Sequence, residues 1–448
     1  MRKKLMSGFL VLLIVSMGFQ TAEAAPEPVI VAEAAILIDA PTGKILYGKD
    51  EHKRMFPAST TKVLTALVAL DYLQPNEILV VGAEIHNATL DSSKAGHRVG
   101  ESILVENLIR GLIMPSGSET SCVVALEVAK RATNNRELSY NNAEQIFSDL
   151  MNKKAESLGA NNSNFVNPHG LHNPNHFTSA YDMALISIAA MENDVLKKIV
   201  GELSFIGNGA GENPSEELIT QEYTWYTRNM LLSSPTYSYP YATGIKTGFT
   251  DEAGDSLAAS AKKDEKELIV VVFNAPEPAR WIDSVTLFDY GFNNFDYQII
   301  QEADVILEQV ELQNYKLGEE DALEMITNEE FGGIFSQEQV NAMQYEIIFN
   351  QDLVAQNDEI GDKVIRLKAP IAKDEQIAKV IYTLENEVIF EGDLLATRDV
   401  EERTARSDFD YYLEQFKATA FSLFRIGLNA SFFDSACRRA RENSHLYR

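Results

Sequence analysis

The chain has 448 residues, with 66 acidic against 39 basic side chains and a formal net charge of −27 at pH 7. A surface this acidic repels phosphate backbones and excludes nucleic acid as a main partner. The two cysteines, Cys122 and Cys437, are far apart in the sequence, so no structural disulfide is expected, and the length allows two domains and a tail.

The first segment is basic at Arg2, Lys3 and Lys4, apolar from Gly8 to Met17, and small-x-small at Ala22-Glu23-Ala24. That order reads as a secretory signal peptide over residues 1–24, too short to span a membrane comfortably. Its removal takes away Arg2, Lys3, Lys4 and Glu23, which moves the net charge from −27 to −29. The mature protein is therefore expected outside the cytoplasm. Residues 29–39 then read as a buried strand, Ala40-Pro41-Thr42-Gly43 as a turn and residues 44–47 as its hairpin partner.

Pro57-Ala58-Ser59-Thr60-Thr61-Lys62 runs straight into Val63-Leu64-Thr65-Ala66-Leu67-Val68-Ala69-Leu70. The second part is apolar on nearly every face, which predicts a helix inside a core. Ser59 falls at its first turn, and Lys62, three residues on, shares its face. A serine hydroxyl is a weak nucleophile until a base takes its proton. A lysine serves as that base only when neutral, a state that burial and nearby positive charge favour. The spacing is cheap, however. Ser260-x-x-Lys263 repeats it beside a charged turn, and Ser59 is also suited to a plain helix N-cap.

Residues 76–105 read as a polar loop, residues 105–114 as a helix, and Pro115-Ser116-Gly117 interrupts it. Helical segments follow to about residue 200. In Ser116-Gly117-Ser118, Ser116 is placed to pass a proton between a lysine and a leaving group. The alternative is a helix-terminus serine that only satisfies backbone groups, and Ser139-Tyr140-Asn141 is a competitor. Strand character returns at residues 241–254, 256–261 and 268–273, and residues 280–295 read as a closing helix. Within Gly244-Ile245-Lys246-Thr247-Gly248-Phe249-Thr250, Lys246 and Thr247 suit a substrate carboxylate, and Gly248 leaves room for a peptide alongside. A second ammonium at Lys246 would also depress the pKa of Lys62. The alternative is an ordinary hairpin turn.

Strands at both ends of a region with helices between predict one sheet built from both ends of a domain, carrying a helical insert, over residues 25–297. Residues 298–398 are patterned as a separate small β domain. In the tail, residues 399–448, Phe409, Tyr412, Leu413, Phe416, Ala420, Leu423 and Phe424 fall on one helical face, and Arg438, Arg439 and Arg441 follow. An amphipathic helix ending in basic residues fits an anchor lying in a membrane interface. The other reading is a helix docked on the protein's own β domain.

The ordered set Ser-x-x-Lys, Ser-x-Ser, Lys-Thr-Gly resembles that of penicillin-binding proteins and class A β-lactamases. With Ala34-Ala35-Ile36-Leu37-Ile38-Asp39, Asn167-Pro168-His169-Gly170-Leu171, Ala180-Tyr181-Asp182-Met183-Ala184, Lys368-Ala369-Pro370-Ile371 and the tail, the whole chain resembles the D-alanyl-D-alanine carboxypeptidases, the low-molecular-mass penicillin-binding proteins. The resemblance implies an α+β fold: a β-lactamase/DD-peptidase-like antiparallel sheet with a helical insert, then a small all-β domain and an amphipathic C-terminal helix. It implies that Ser59 attacks the carbonyl between the terminal D-alanines of a peptidoglycan stem peptide, with Lys62 as base and Ser116 as proton relay. Lys246 and Thr247 would bind the carboxylate, beside Gly248. The backbone N–H groups of Ser59 and Phe249 would hold the oxyanion. β-Lactam antibiotics would acylate Ser59, and the tail would rest on the outer face of the cytoplasmic membrane.

One position departs from the family pattern. Ser118 stands where the middle motif usually ends in asparagine, so its contacts to lysine and substrate are expected to be weaker. A weak or inactive penicillin-binding protein is therefore an alternative, as is a β-lactamase or endopeptidase on the same fold. The extra domain and the lack of a clear deacylation glutamate disfavour a β-lactamase. His169, His172 and His176 have metal-like spacing, but they fall in a segment resembling a family loop not known as a metal site. No metal and no cofactor are expected.

Overall fold

The computed structural model describes residues 26–355 and 365–422, together with the backbone of Ile14–Val15. The chain divides into two compact units, Ala24–Asp296 and a second from Tyr297 onward. The expected cleavage site lies outside the described residues. Ile14–Val15 pairs with Tyr345 and Glu346 at one edge of the second unit's sheet.

The first unit is built on a five-stranded antiparallel sheet in the order Ile45–Lys49, Ala34–Asp39, Lys266–Ala275, Gly254–Lys263, Ala242–Thr250. Its strands come from the two ends of the unit. All six residues of Ala34–Asp39 are buried, as an unbroken apolar run requires when both faces are covered. Ala34, Ile36, Ile38, Ile269, Val271 and Phe273 join the helical insert in one core cluster. On the other face, Leu37 and Leu268 crowd Gly291 of the closing helix Ala279–Asn294.

The insert carries α1 (Thr61–Tyr72), α2 (Val105–Ile113), α3 (Ser118–Thr133), α4 (Tyr140–Ser157), α5 (Ala180–Glu192) and α6 (Asp194–Val200). Every residue of α1 from Thr61 to Ala69 is buried, so this helix lies inside the core. Two small hairpins interrupt the insert, Ile78–Val80 with Ser102–Leu104 and Ser204–Asn208 with Glu222–Tyr226. The first lies where the sequence reads as loop. Three-residue strands are too short to show alternation.

The second unit is β-rich. A sheet runs Gln344–Phe349, Gln376–Leu384, Glu387–Ala396, Ala322–Ile326, Ile306–Gln313, with Arg366–Lys368 added in parallel at the far end. Its core is formed by side chains such as Leu323, Ile347, Leu367, Val380, Tyr382 and Leu394. A helix follows over residues 405–422. Phe409, Tyr412 and Phe416 on it are 65%, 61% and 71% exposed. Tyr411 instead lies against Gly318. The face expected to be apolar is thus bare among the described residues rather than docked on the β unit. Leu423, Phe424 and the arginines of the extreme tail lie outside them. Among the described residues, no helix is long and apolar enough to cross a membrane.

Candidate active site

The chain enters α1 through a 3₁₀ turn, Ala58–Thr60, which places Ser59 at the mouth of a cleft and Lys62 at the first turn of the buried helix. Thr60 Oγ1 donates to Pro57 O at 2.7 Å and fixes the turn. Gly170 comes so close that a Cβ there would meet Ala58 O at 1.8 Å, and its φ is +80°. Only glycine lets the residue 167–170 loop press against the nucleophile turn.

That loop also holds the lysine. Lys62 Nζ donates to His169 O at 2.7 Å and to Ser59 Oγ at 3.0 Å, and lies 3.5 Å from Ser118 Oγ. Lys62 is 0% exposed. Burial first, then the positive charge of Arg228, lowers its pKa to about 7. A substantial fraction is therefore neutral near pH 7, as a base for Ser59 must be. The expected depression of Lys62 by Lys246 gives way to Arg228 as the leading cationic influence, and no local motif marks Arg228.

Between α2 and α3, Ser116 adopts φ 65° and is 2% exposed, and its buried hydroxyl has no hydrogen-bond partner among the described residues. An orphaned buried hydroxyl is costly unless a ligand completes it. Ser118 N donates to Ser93 O at 2.8 Å, and Glu119 Oε1 accepts from Ala95 N and Gly96 N at 2.6 and 2.8 Å. Behind this turn His97 is wedged. Its Nδ1 lies 2.8 Å from both Glu101 and Tyr223, its Nε2 2.9 Å from Thr120 Oγ1, and Tyr223 bonds Glu101. No motif marked this network, because its members are scattered over residues 97–223.

The opposite wall is the edge strand Ala242–Thr250, last in the sheet. Gly248 allows it to approach Pro57 O, which a Cβ would meet at 2.9 Å. Ser59, Ser116, Ser118, Thr247, Gly248 and Phe249 line one cavity of about 800 Å³. Lys246 sits behind that lining, 2% exposed, with Nζ donating to Thr247 O at 3.0 Å. Burial, with Lys62, Arg228 and Arg280 nearby, holds its pKa well below the usual lysine value. The cations on the lining itself are Arg228 and Arg280. A carboxylate entering beside Thr247 would favour the charged form of Lys246.

The competing motifs are elsewhere. Ser260 and Lys263 lie on the strand Gly254–Lys263, where residues three apart point to opposite faces. Ser260 Oγ bonds Thr243 Oγ1 at 2.7 Å, and Lys263 Nζ lies over the Tyr241 ring. Ser139 is the N-cap of α4. His176 bridges Thr61 Oγ1 and Val166 N, and His169 Nδ1 accepts from Leu171 N. Burial lowers the pKa of both imidazoles to about 3, so they are neutral packing groups. Among the described residues no group of three or more His, Cys, Asp or Glu is arranged to hold a metal ion. Cys122 is a buried thiol, and Cys437 lies outside the described residues.

A hydroxyl on a neutral lysine, a second hydroxyl facing the same space and an open strand edge together suit acyl transfer on a peptide. The sequence pattern of peptidase S11, the D-alanyl-D-alanine carboxypeptidases, matches residues 20–277. The chain belongs to that family. A second pattern, the C-terminal domain of penicillin-binding protein 5, matches residues 298–402. The carboxypeptidase DacF of Bacillus subtilis is 28% identical over 86% of this chain and 88% of its own length. DacA of Haemophilus influenzae is 29% identical over 84% and 86%. Penicillin-binding protein 5 from Haemophilus influenzae superposes with a TM-score of 0.57 at 27% identity, covering 85% of this chain and all of that one. The carboxypeptidase DacD of Francisella tularensis, at TM-score 0.65 and 23% identity over 86% and 97%, shares the fold. This family member is a serine-type D-Ala-D-Ala carboxypeptidase with an α+β fold.

Proposed function

We propose that Ser59 is the nucleophile that removes the terminal D-alanine from peptidoglycan stem pentapeptides, with neutral Lys62 as its base. The carboxylate of the last D-alanine is drawn in beside Thr247 by Lys246, with Arg228 and Arg280 adding positive charge. Gly248 leaves room for the peptide to pair with the edge strand. Ser59 Oγ attacks the preceding carbonyl while its proton passes to Lys62, and the N–H groups of Ser59 and Phe249 hold the oxyanion. Collapse breaks the peptide bond. Lys62 returns the proton through Ser116 to the departing amine. Water then hydrolyses the ester on Ser59 and frees the shortened peptide. A β-lactam, whose ring amide mimics that bond, acylates Ser59 by the same first step.

The observation that carries this reading is the 3.0 Å contact between Ser59 Oγ and the fully buried Lys62 amine, on one cavity with the orphaned Ser116 hydroxyl. The test is release of D-alanine from a pentapeptide by the purified protein, with Ser59→Ala as control; equal release by both would overturn the reading. The 3.5 Å separation of Ser118 Oγ from Lys62 favours an attenuated enzyme over a fully active one. Residues 1–24 export the chain. The bare aromatic face of the helix over 405–422 holds it at the membrane surface. Deleting residues 408–448 is expected to free the protein from membranes without ending D-alanine release; retention on the membrane would sink the anchor.

A further inference from the structure

The peptide register set by the oxyanion hole identifies which substrate side chain comes nearest the carboxylates of Asp251 and Glu252. This step rests on the reading above, in which the carbonyl under attack is held at Phe249 N–H. An antiparallel pair matches residue for residue, so the penultimate residue of the substrate lies opposite Phe249. The terminal D-alanine then lies opposite Gly248, beside Thr247. The residue before the two alanines, the third of the stem, comes opposite Thr250. Asp251 and Glu252 follow at once, and both line the same cavity as Ser59, as does Asp91.

Strands rise by about 3.3 Å per residue, so an amine on a four-carbon stem at the third position reaches Asp251 and Glu252. Asp91 and Asp251 are exposed and have no ion-pair partner among the described residues. Among the described residues Glu252 meets a distant imidazole, His172 Nδ1 at 3.9 Å. Of the cavity's two arginines, Arg280 pairs with Asp255 at 2.7 Å, while Arg228 keeps its charge and donates to Ser93 Oγ at 2.8 Å. The cavity is a ligand site on independent grounds, since the buried hydroxyl of Ser116 on its lining has no partner among the described residues.

We propose that Asp251, Glu252 and Asp91 select stem peptides whose third residue carries a free side-chain ammonium. A stem whose side-chain amine has been acylated in a cross-link lacks that charge and is the poorer substrate. The enzyme accordingly acts on stems before a cross-linking acyl transfer consumes their third-residue amine.

The test compares D-alanine release by the full-length protein from Nα-acetyl-L-Lys-D-Ala-D-Ala and from its Nα,Nε-diacetyl counterpart. Several rim charges, each weak alone, are expected to favour the free amine in kcat/KM by about 3- to 10-fold at low salt, less at high salt. In the triple variant Asp91→Asn, Asp251→Asn, Glu252→Gln that preference disappears. A fluorescent penicillin, which carries no third residue, reports that the variant's cleft is intact. Equal kcat/KM for the two peptides in the unaltered protein overturns the inference, as does a preference that survives the triple variant. Release from neither peptide overturns the carboxypeptidase reading itself, a distinguishable result.

Discussion

Two stretches of this chain carry a serine and a lysine three residues apart, and they have nothing chemical in common. At Ser59 and Lys62 the backbone is a helical entry, so both side chains meet at 3.0 Å. At Ser260 and Lys263 the backbone is a strand, and the same spacing sends them to opposite faces. Burial separates the pairs further. Lys62 is enclosed by the core, whereas Lys263 lies over the rings of Tyr241 and Phe292. A motif acquires its chemistry from the local backbone and from the dielectric in which its members sit.

The sharpest way to break the comparison is to remove each hydroxyl. Ser59→Ala is expected to cut D-alanine release by roughly 10⁴-fold or more and to abolish covalent penicillin labelling. Ser260→Ala should leave both within a small factor and lower stability by about 1 kcal/mol through the lost bond to Thr243. If Ser260→Ala removed the label instead, the two sites would have been assigned the wrong way round.

Next comes the base. Lys62→Arg substitutes a guanidinium that keeps its proton, so acylation should fall by about 10²- to 10⁴-fold, whereas Lys263→Arg should change little. The neutral amine is the active form, so the acylation rate in the unaltered enzyme should rise with pH through about 7 and then level off. A rise centred near the ordinary lysine value would rule out a desolvated base. Stability follows the same linkage. The unfolded chain keeps the Lys62 proton up to about 10.5, so the cost of burying this amine is full below about pH 7 and shrinks as pH rises toward 10.5.

A milder change sharpens the contrast further. Arg228→Gln removes the leading cationic influence on Lys62, which should move the acylation limb to higher pH and slow the reaction a few-fold at pH 7. An unmoved limb in that variant would remove Arg228 from the causes and leave burial as the leading one. The smallest effect is expected at Ser118. Ser118→Asn should improve turnover by about 2-fold, because a longer amide reaches what a hydroxyl at 3.5 Å holds weakly. Unchanged turnover and penicillin acylation would show that this position does not limit activity.

Much of the architecture is legible from patterning. The unbroken apolar run at Ala34–Asp39 and the all-round apolar α1 announce a covered strand and an interior helix, since hydropathy period depends only on local backbone geometry. The short hairpins and the strands Phe331–Ser336 and Gln344–Phe349 of the second unit are not legible in the sequence, because brief strands pair with distant partners before they show a period.

The sequence by itself determined the chemical alphabet of the site: Ser59 with Lys62, Ser116 with Ser118, and the strand Lys246-Thr247-Gly248, each a contiguous group. Only the tertiary structure decided which of them face one cavity and in what electrical state. Lys62 loses its affinity for protons because distant residues, Arg228 above all after burial, enclose it. Lys246 stands behind the lining while Arg228 and Arg280 occupy it, and His97, held by Glu101 and Tyr223, supports the serine turn from behind through Thr120. Solvation and Coulomb forces depend on distance through space, which no spacing along the chain encodes.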